Sequence, residues 1–198
     1  RHALHSPAGE PAGEPLSIPA DLGHGPRAGM WCAYGLPDDP PGEQSDEDAR
    51  CLVFDLPPVD RVTSYLGQPA IDVALTSDRP AAHLVARLCD VAPDGSSTLV
   101  SNAVLNLTHR VGSGDPSALP LDRPFVARLM LDSIGYRLLP GHHWRVALSQ
   151  TWWPRMWPRP ASAQLHLLEA HLALPRHAES ALGSVFEPAE TAPLMAHT

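Results

Sequence analysis

The sequence predicts an all-β fold, an antiparallel β-sandwich of the jelly-roll type. Apolar residues alternate with other residues in short runs, for example at Phe125, Ala127, Leu129 and Leu131, which is the period expected of a strand with one buried face. Turn-forming Pro, Gly and Asp residues separate the runs, and no segment has the spacing of an amphipathic helix. About eight or nine short strands with frequent turns are typical of a sandwich, and the jelly roll is the natural version at this size.

The predicted strands follow one another through the second to fourth quarters of the chain. Their ranges are 50–55, 69–77, 82–91, 98–108, 124–132, 135–139, 143–150, 162–168 and 170–174. Pro93, Asp94 and Gly95 predict a tight turn between two of these strands. The alternation also predicts the core, which comprises Ile71, Val73, Leu75, Leu84, Leu88, Phe125, Leu129, Leu131, Trp144, Val146 and Leu148.

The segments outside the strands define the domain organisation. Residues 1–30 are rich in Pro, Gly and Ala without periodicity, which is typical of a connector lying across a surface, here one that leads from an upstream domain. Residues 37–49 are acidic and turn-prone, so we expect an exposed loop. The sandwich domain is expected over residues 31–176. Residues 177–198 form a C-terminal tail, which we expect to be surface coil with one anchoring contact at Phe186.

The composition argues against two kinds of partner and indicates a cellular compartment. The formal net charge is −8, and all 14 basic residues of this 198-residue chain are arginines; the acidic balance argues against a nucleic-acid partner. No run of 18 apolar residues is present, so no membrane partner is expected. The three cysteines contain no C-x-x-C pair, and Cys51 and Cys89 lie in apolar runs. They are interpreted as small buried side chains in a reducing compartment, which favours a cytoplasmic location.

Catalytic motifs were sought and are not found. The chain has no G-x-S-x-G elbow, no Gly-rich phosphate loop and no H-E-x-x-H, so no catalytic residue is nominated. No cofactor or metal is expected either. His142, His143, His166, Glu169 and His171 could supply metal ligands, but neighbours in a strand point to opposite faces, and scattered histidines are more often surface or hydrogen-bonded residues.

Four aspartates, Asp55, Asp78, Asp90 and Asp94, lie at predicted strand ends and turns. Hydrogen bonding at those turns is the favoured interpretation, and calcium ligation is the alternative.

A proline-rich loop carries three of the five tryptophans. Residues 152–160 read Trp-Trp-Pro-Arg-Met-Trp-Pro-Arg-Pro, and the prolines restrict the backbone and cannot extend a strand. Three interpretations stay open: a cap on the open end of the sandwich, a docking surface, and a sugar-stacking platform. At least two of the three rings are expected to be partly exposed. The candidate interface or pocket-wall residues are Trp31, Tyr34, Trp152, Trp153, Arg155 and Trp157.

Two sequence motifs near residue 40 resemble a known family. Residues 31–35 read Trp-Cys-Ala-Tyr-Gly, and residues 41–55 read Pro-Gly-Glu-Gln-Ser-Asp-Glu-Asp-Ala-Arg-Cys-Leu-Val-Phe-Asp. They are similar to W-C-x-Y-G and P-G-D-Q-R-x-D-D-A-R-S-L-V-F-D in the C-terminal domain of the X-Pro dipeptidyl-peptidase and cocaine-esterase (CocE/NonD) family of α/β-hydrolase serine hydrolases. The chain departs from this pattern at Glu43, Ser45, Glu47 and Cys51.

Four further segments occur in the same order as in that family. Residues 66–80 and 86–96 resemble its V-x-G-P, S-S-D-x-P and A-K-L-x-D-V-x-P-D-G-R segments, and residues 138–149 resemble F-x-P-G-H-R-I-R-L-x-I-S. Residues 153–160 are similar to its W-P-x-x-W-P-x-P form. Together the resemblance covers about residues 25–175.

The resemblance implies a non-catalytic accessory role. In this family an α/β-hydrolase domain carries the Ser-Asp-His triad, and a C-terminal jelly roll resembling galactose-binding domains packs against it and helps wall the substrate pocket. We therefore expect the partner to be the catalytic domain of the same polypeptide, a bacterial serine hydrolase acting on an ester, amide or X-Pro peptide. The isolated chain is expected to be inactive, and a homo-oligomer is a further expectation. The alternatives are a freestanding carbohydrate-binding module and a self-contained esterase.

Overall fold

The computed structural model describes residues 2–4, 14–30, 32, 34–37 and 39–177. One helical turn, α1 (Ser45–Asp48), and a 3-10 turn at Leu107–His109 occur among the strands. The strands are β1 (His2–Ala3), β2 (Leu16–Ser17), β3 (Leu52–Asp55), β4 (Thr63–Gly67), β5 (Ala70–Ser77), β6 (His83–Val91), β7 (Ser97–Asn106), β8 (Phe125–Met130), β9 (Ile134–Leu138), β10 (His143–Ser149) and β11 (Leu165–Ala173).

The strands form two main sheets and a ribbon. The first sheet has the order β1-β11-β5-β8, with β2 also paired to β11, and the second has the order β3-β10-β6-β7. Strands β4 and β9 form the ribbon, and every pairing between these strands is antiparallel. One apolar cluster draws side chains from both sheets. The predicted all-β antiparallel sandwich is therefore confirmed, while its jelly-roll topology stays a prediction.

The predicted core is also confirmed. All eleven of its residues are buried, from Ile71 on β5 to Leu148 on β10. Strand β6 is buried on both faces, which distinguishes it from the alternating strand β8. Its inner face carries Leu84 and Leu88 into the main core, while Val85 belongs to a second, smaller cluster. A further layer of chain therefore covers the outside of the second sheet.

That outer layer corrects two expectations about the first fifty residues. The acidic segment 37–49 is not a wholly exposed loop, because α1 turns Glu47 and Asp48 inward, where both side chains are buried. In the described part of residues 1–30, Leu16 and Ile18 are buried in the main core. The segment is thus packed more deeply than a surface connector, although the predicted boundary at residue 30 remains untested.

The observed strands differ from the predicted strands in two ways. Strand β4 was missed, as were the two-residue strands β1 and β2. The predicted strands 162–168 and 170–174 are one strand, β11, with a bulge between Leu167 and Glu169 that shifts the register against β5. The tail contact predicted for Phe186 falls outside the described residues.

The three cysteines differ in exposure, and two of the four turn aspartates form local hydrogen bonds. Burial raises the pKa of Cys89 to about 12, Cys51 is half-buried and Cys32 is exposed; all three are free thiols. Asp94 accepts hydrogen bonds from Ser96, and Asp78 accepts one from the backbone N–H of Gln164 at 2.7 Å. These two contacts fit the interpretation of turn and strand-end hydrogen bonding.

Within the described chain, no helix has the length and apolarity to cross a membrane.

Candidate docking site around the tryptophan loop

The first tryptophan of the loop is a core residue. Trp152 is 1% exposed and packs with Ala28, Val85 and Met156 in the cluster outside the second sheet. The guanidinium of Arg155 lies 4.9 Å from the centroid of the Trp152 ring, a cation–π distance. Trp152 therefore caps the sandwich and anchors the loop; it offers no free surface to a partner.

The other two tryptophans are exposed and contact each other. Trp153 is 44% exposed and Trp157 is 77% exposed, which confirms the expectation that at least two rings are partly accessible. Their centroids are 5.2 Å apart at an interplanar angle of 73°, the edge-to-face arrangement that aromatic pairs prefer. The two rings thus hold each other in place on the surface.

A neighbouring turn adds further exposed apolar side chains. The carboxylate of Asp39 accepts hydrogen bonds from the backbone N–H groups of Tyr34 (2.6 Å) and Leu36 (2.9 Å), and the Asp39 carbonyl accepts one from Met30 (2.8 Å). Arg155 connects this turn to the loop, because its guanidinium donates to the Met30 carbonyl at 3.3 Å. We call the resulting exposed set the tryptophan-loop surface; it comprises Met30, Tyr34, Leu36, Trp153 and Trp157. Trp31 falls outside the described residues.

Helix α1 fixes the base of the loop through a buried carboxylate. Glu47 accepts hydrogen bonds from the backbone N–H groups of Gly25 (2.7 Å) and Arg27 (2.9 Å). The carbonyl of His24 in turn accepts a hydrogen bond from the N–H of Trp153 at 3.0 Å. Gly25 has a φ of +123°, and a Cβ there would lie 2.0 Å from the carbonyl oxygen of Trp153. Only glycine allows the two segments to approach this closely.

A buried ion pair holds α1 against the second sheet. The Arg87 side chain is 0% exposed and donates to Asp48 at 2.8 Å and to the Gln44 amide oxygen at 2.7 Å. The second carboxylate oxygen of Asp48 accepts from Ser97 Oγ at 2.7 Å and from Arg145 at 3.2 Å. Every oxygen of the buried carboxylate is therefore hydrogen-bonded, as a buried charge requires.

The network continues to the edge of the sheet. Arg145 forms two hydrogen bonds with Asp55, of 2.7 and 2.8 Å, and this contact raises the pKa of the Arg145 guanidinium. Asp48 and Asp55 come from the motif at residues 41–55, and Arg87 comes from the motif at residues 86–96. These motifs therefore position α1, and through it the loop. Sequence reasoning missed Arg87, although an arginine within the apolar run of β6 was the available signal.

One serine contacts a histidine but is not an active site. Ser149 Oγ lies 3.1 Å from His24 Nδ1, and His24 Nε2 lies 3.8 Å from Glu47. Ser149 and His24 are at most 1% exposed, and the Ser149 hydroxyl donates to the Thr151 carbonyl at 2.9 Å. Burial also lowers the pKa of His24. A substrate carbonyl has no access to this hydroxyl.

The histidines considered as metal ligands are dispersed. His171 contacts Glu169 at 2.8 Å, and His142 contacts Asp90 at 2.8 Å, each as a pair. In the parts of the chain that the structure describes, no three His, Cys, Asp or Glu side chains come close enough to hold a metal ion.

Comparison with protein-family models identifies the chain. Residues 5–193 match the model described as the X-Pro dipeptidyl-peptidase C-terminal non-catalytic domain. The chain belongs to this family. The resemblance seen in the motifs is therefore confirmed, and the family description agrees with the inaccessible Ser149. A search of curated protein sequences finds no match.

Solved structures share the fold at low sequence identity. An aminopeptidase from a marine sediment Thaumarchaeota archaeon has a TM-score of 0.71 at 16% identity, over 88% of this chain and 34% of that one. An α-amino acid ester hydrolase has a TM-score of 0.68 at 17% identity, over 86% and 33%. A CocE/NonD family hydrolase from Staphylococcus aureus has a TM-score of 0.53 at 12% identity, over 88% and 40%. The chain thus spans between a third and two fifths of these proteins.

Proposed function

We propose that this non-catalytic domain packs, through the tryptophan-loop surface, against the α/β-hydrolase catalytic domain of the same polypeptide and helps shape that domain's substrate pocket. The observation that carries the proposal is the exposed Trp153–Trp157 pair on an anchored loop. Tryptophan and arginine dominate interface energetics, and a loop that is already ordered loses little entropy on docking.

Two further observations support the proposal. This chain covers 34% of the aminopeptidase and 33% of the ester hydrolase. Each of these proteins therefore has room for a separate catalytic domain. These neighbours include an aminopeptidase and an ester hydrolase, so we propose an ester, amide or X-Pro peptide substrate for the whole polypeptide. The three free thiols agree with a reducing compartment, and we propose the cytoplasm.

The isolated chain is expected to show no hydrolysis of p-nitrophenyl esters or X-Pro anilides above a buffer blank. The physical reason is that Ser149, whose hydroxyl contacts His24, is buried and already donates to a carbonyl. The measurement is a chromogenic assay with the chain alone and with Ser149→Ala. Hydrolysis that disappears in the Ser149→Ala variant would show that the domain is an enzyme by itself.

Trp157→Ala in the full polypeptide is expected to lower kcat/KM by roughly tenfold or more, because truncating an interface tryptophan commonly costs 2 kcal/mol or more. The same substitution should leave the stability of the isolated chain within about 0.5 kcal/mol, since Trp157 is largely exposed there. Steady-state kinetics and urea unfolding make the two measurements.

Val126→Ala is the matched control. Val126 is 75% exposed on β8, in the other sheet, so its loss removes a similarly accessible apolar side chain outside the tryptophan-loop surface. Equal kinetics for the two variants would contradict the docking role.

A further inference from the structure

A cavity of about 630 Å³ lies away from the tryptophan-loop surface. Its walls come from residues 56–61, from β4, from the beginning of β10 and from both ends of the described chain. The tryptophan loop follows the opposite end of β10. The cavity is therefore separate from the proposed docking site, and its size falls within the range of small-molecule sites.

One residue of the cavity wall has a buried hydrogen-bond donor without a partner. Trp144 lines the cavity and is 2% exposed, and its indole N–H has no hydrogen-bond partner in the described structure. Tyr65 is also part of the lining. A buried tryptophan N–H normally finds a partner, and a buried donor without one costs about 1–3 kcal/mol. The indole nitrogen has almost no accessible surface, so the donors that a ligand reaches in the cavity come from other lining side chains.

Two exposed arginines supply the accessible donors of the cavity. Arg61 and Arg176 line the cavity, and neither guanidinium forms an ion pair with a described residue. The one lining carboxylate, Asp60, does not pair with either of them. Burial lowers the pKa of the nearby His2, so this side chain is mostly neutral at pH 7. Two positive charges against one negative charge favour an anion in the cavity.

The remaining walls are apolar, and the aromatic rings are oriented edgewise. Pro57 and Leu174 are among the aliphatic lining residues. The Tyr65 and Trp144 rings meet at 80° with centroids 5.2 Å apart, and both side chains are at least nine-tenths buried. Neither ring therefore offers an open face on which a sugar could stack.

We infer that this cavity binds a small organic carboxylate with an apolar body. The carboxylate accepts hydrogen bonds from Arg61 and Arg176, and the body lies against the proline and leucine walls. An apolar cleft with a few convergent polar groups is the usual construction of a small-molecule site, and arginine suits carboxylates because its donors match the two oxygens.

The test uses this chain with phenylacetate as the probe. Isothermal titration calorimetry gives the Kd, and the indole N–H resonances, with that of Trp144 assigned through Trp144→Phe, report the location. Saturable binding is expected, with a shift of the Trp144 resonance. Arg61→Gln and Arg176→Gln should each weaken binding roughly tenfold, or about 1.4 kcal/mol, whereas Arg137→Gln, on the exposed side of the adjacent β9, should change nothing.

Three other ligands separate the possible sources of binding. Phenylacetamide keeps the apolar body without the charge, inorganic phosphate keeps the charge without the body, and galactose is a neutral sugar. The inference is overturned if phenylacetate does not bind, if phenylacetamide or phosphate binds equally well, or if galactose shifts the Trp144 resonance in its place. It is also overturned if the two cavity arginines behave like Arg137.

Discussion

Replacing Arg87 with methionine is expected to lower the free energy of unfolding by about 3–5 kcal/mol. The substitution removes one partner of a fully buried ion pair, and among the described residues the Asp48 carboxylate then keeps Ser97 and the more distant Arg145. A buried charge without its partner is far more costly than the absence of both charges. The double variant Arg87→Met, Asp48→Asn should therefore recover part of the lost stability. Urea unfolding of the isolated chain measures each step of this cycle.

Arg128→Met provides the comparison for an exposed pair. Arg128 contacts Asp72 at 2.9 Å, but about half of the Arg128 side chain is accessible to solvent. Exposed ion pairs contribute about 0–1 kcal/mol, so the free energy of unfolding of this variant should be close to that of the parent chain. If Arg87→Met were no more destabilising than Arg128→Met, the buried network would not be what holds α1 on the sheet.

Gly25→Ala is expected to have the second large effect, a loss of more than about 3 kcal/mol together with displacement of the tryptophan loop. The added Cβ would meet the Trp153 carbonyl oxygen at 2.0 Å and the Trp153 nitrogen at 2.6 Å, and both are backbone atoms. The backbone at φ +123° is in addition unfavourable for any residue with a Cβ. To remove this collision, residues 24–27 and the tryptophan loop must move apart. This movement should break the hydrogen bond from the Trp153 N–H to the His24 carbonyl.

Gly95→Ala measures the cost of a Cβ at a positive φ in a place where the added Cβ meets no other atom. Gly95 also has a positive φ, +89°, but a Cβ there would have no heavy atom within 4 Å. Its substitution should cost only about 1–2 kcal/mol. Urea unfolding compares the two variants, and tryptophan fluorescence reports the environment of the loop. Equal losses of stability with unchanged fluorescence would contradict the close packing of Gly25 against Trp153.

The strands that bury one face were predictable from the sequence alone. Strand β8 alternates throughout and β5 alternates from Ile71 onward, and both the strands and the inward residues, such as Val73 and Leu129, are confirmed. Strand β4 was missed because its five residues contain only two buried side chains and end in Gly67. Residues 14–30 have no period at all. Leu16 and Ile18 are buried because β11 and the core lie beside them, which no local pattern encodes.

The candidate site was predictable in position but not in detail. Its prolines and tryptophans indicated a restricted aromatic loop, and two of its rings are exposed as expected. The sequence could not distinguish Trp152, which is buried, from Trp153 beside it, because an irregular loop has no alternation to assign inward and outward positions. The role of Arg87 was equally hidden, since its partner Asp48 is 39 residues away in sequence.

The most direct test of the docking role is oxidative footprinting of the tryptophan-loop surface in two samples, this chain alone and the full polypeptide. Trp153 and Trp157 should be oxidised readily in the chain alone and protected in the full polypeptide, where the catalytic domain covers them. Met130, which is 46% exposed on β8, should be oxidised equally in both samples and serves as the internal reference. Equal oxidation of Trp153 and Trp157 in the two samples would contradict the proposal that this surface is the docking site.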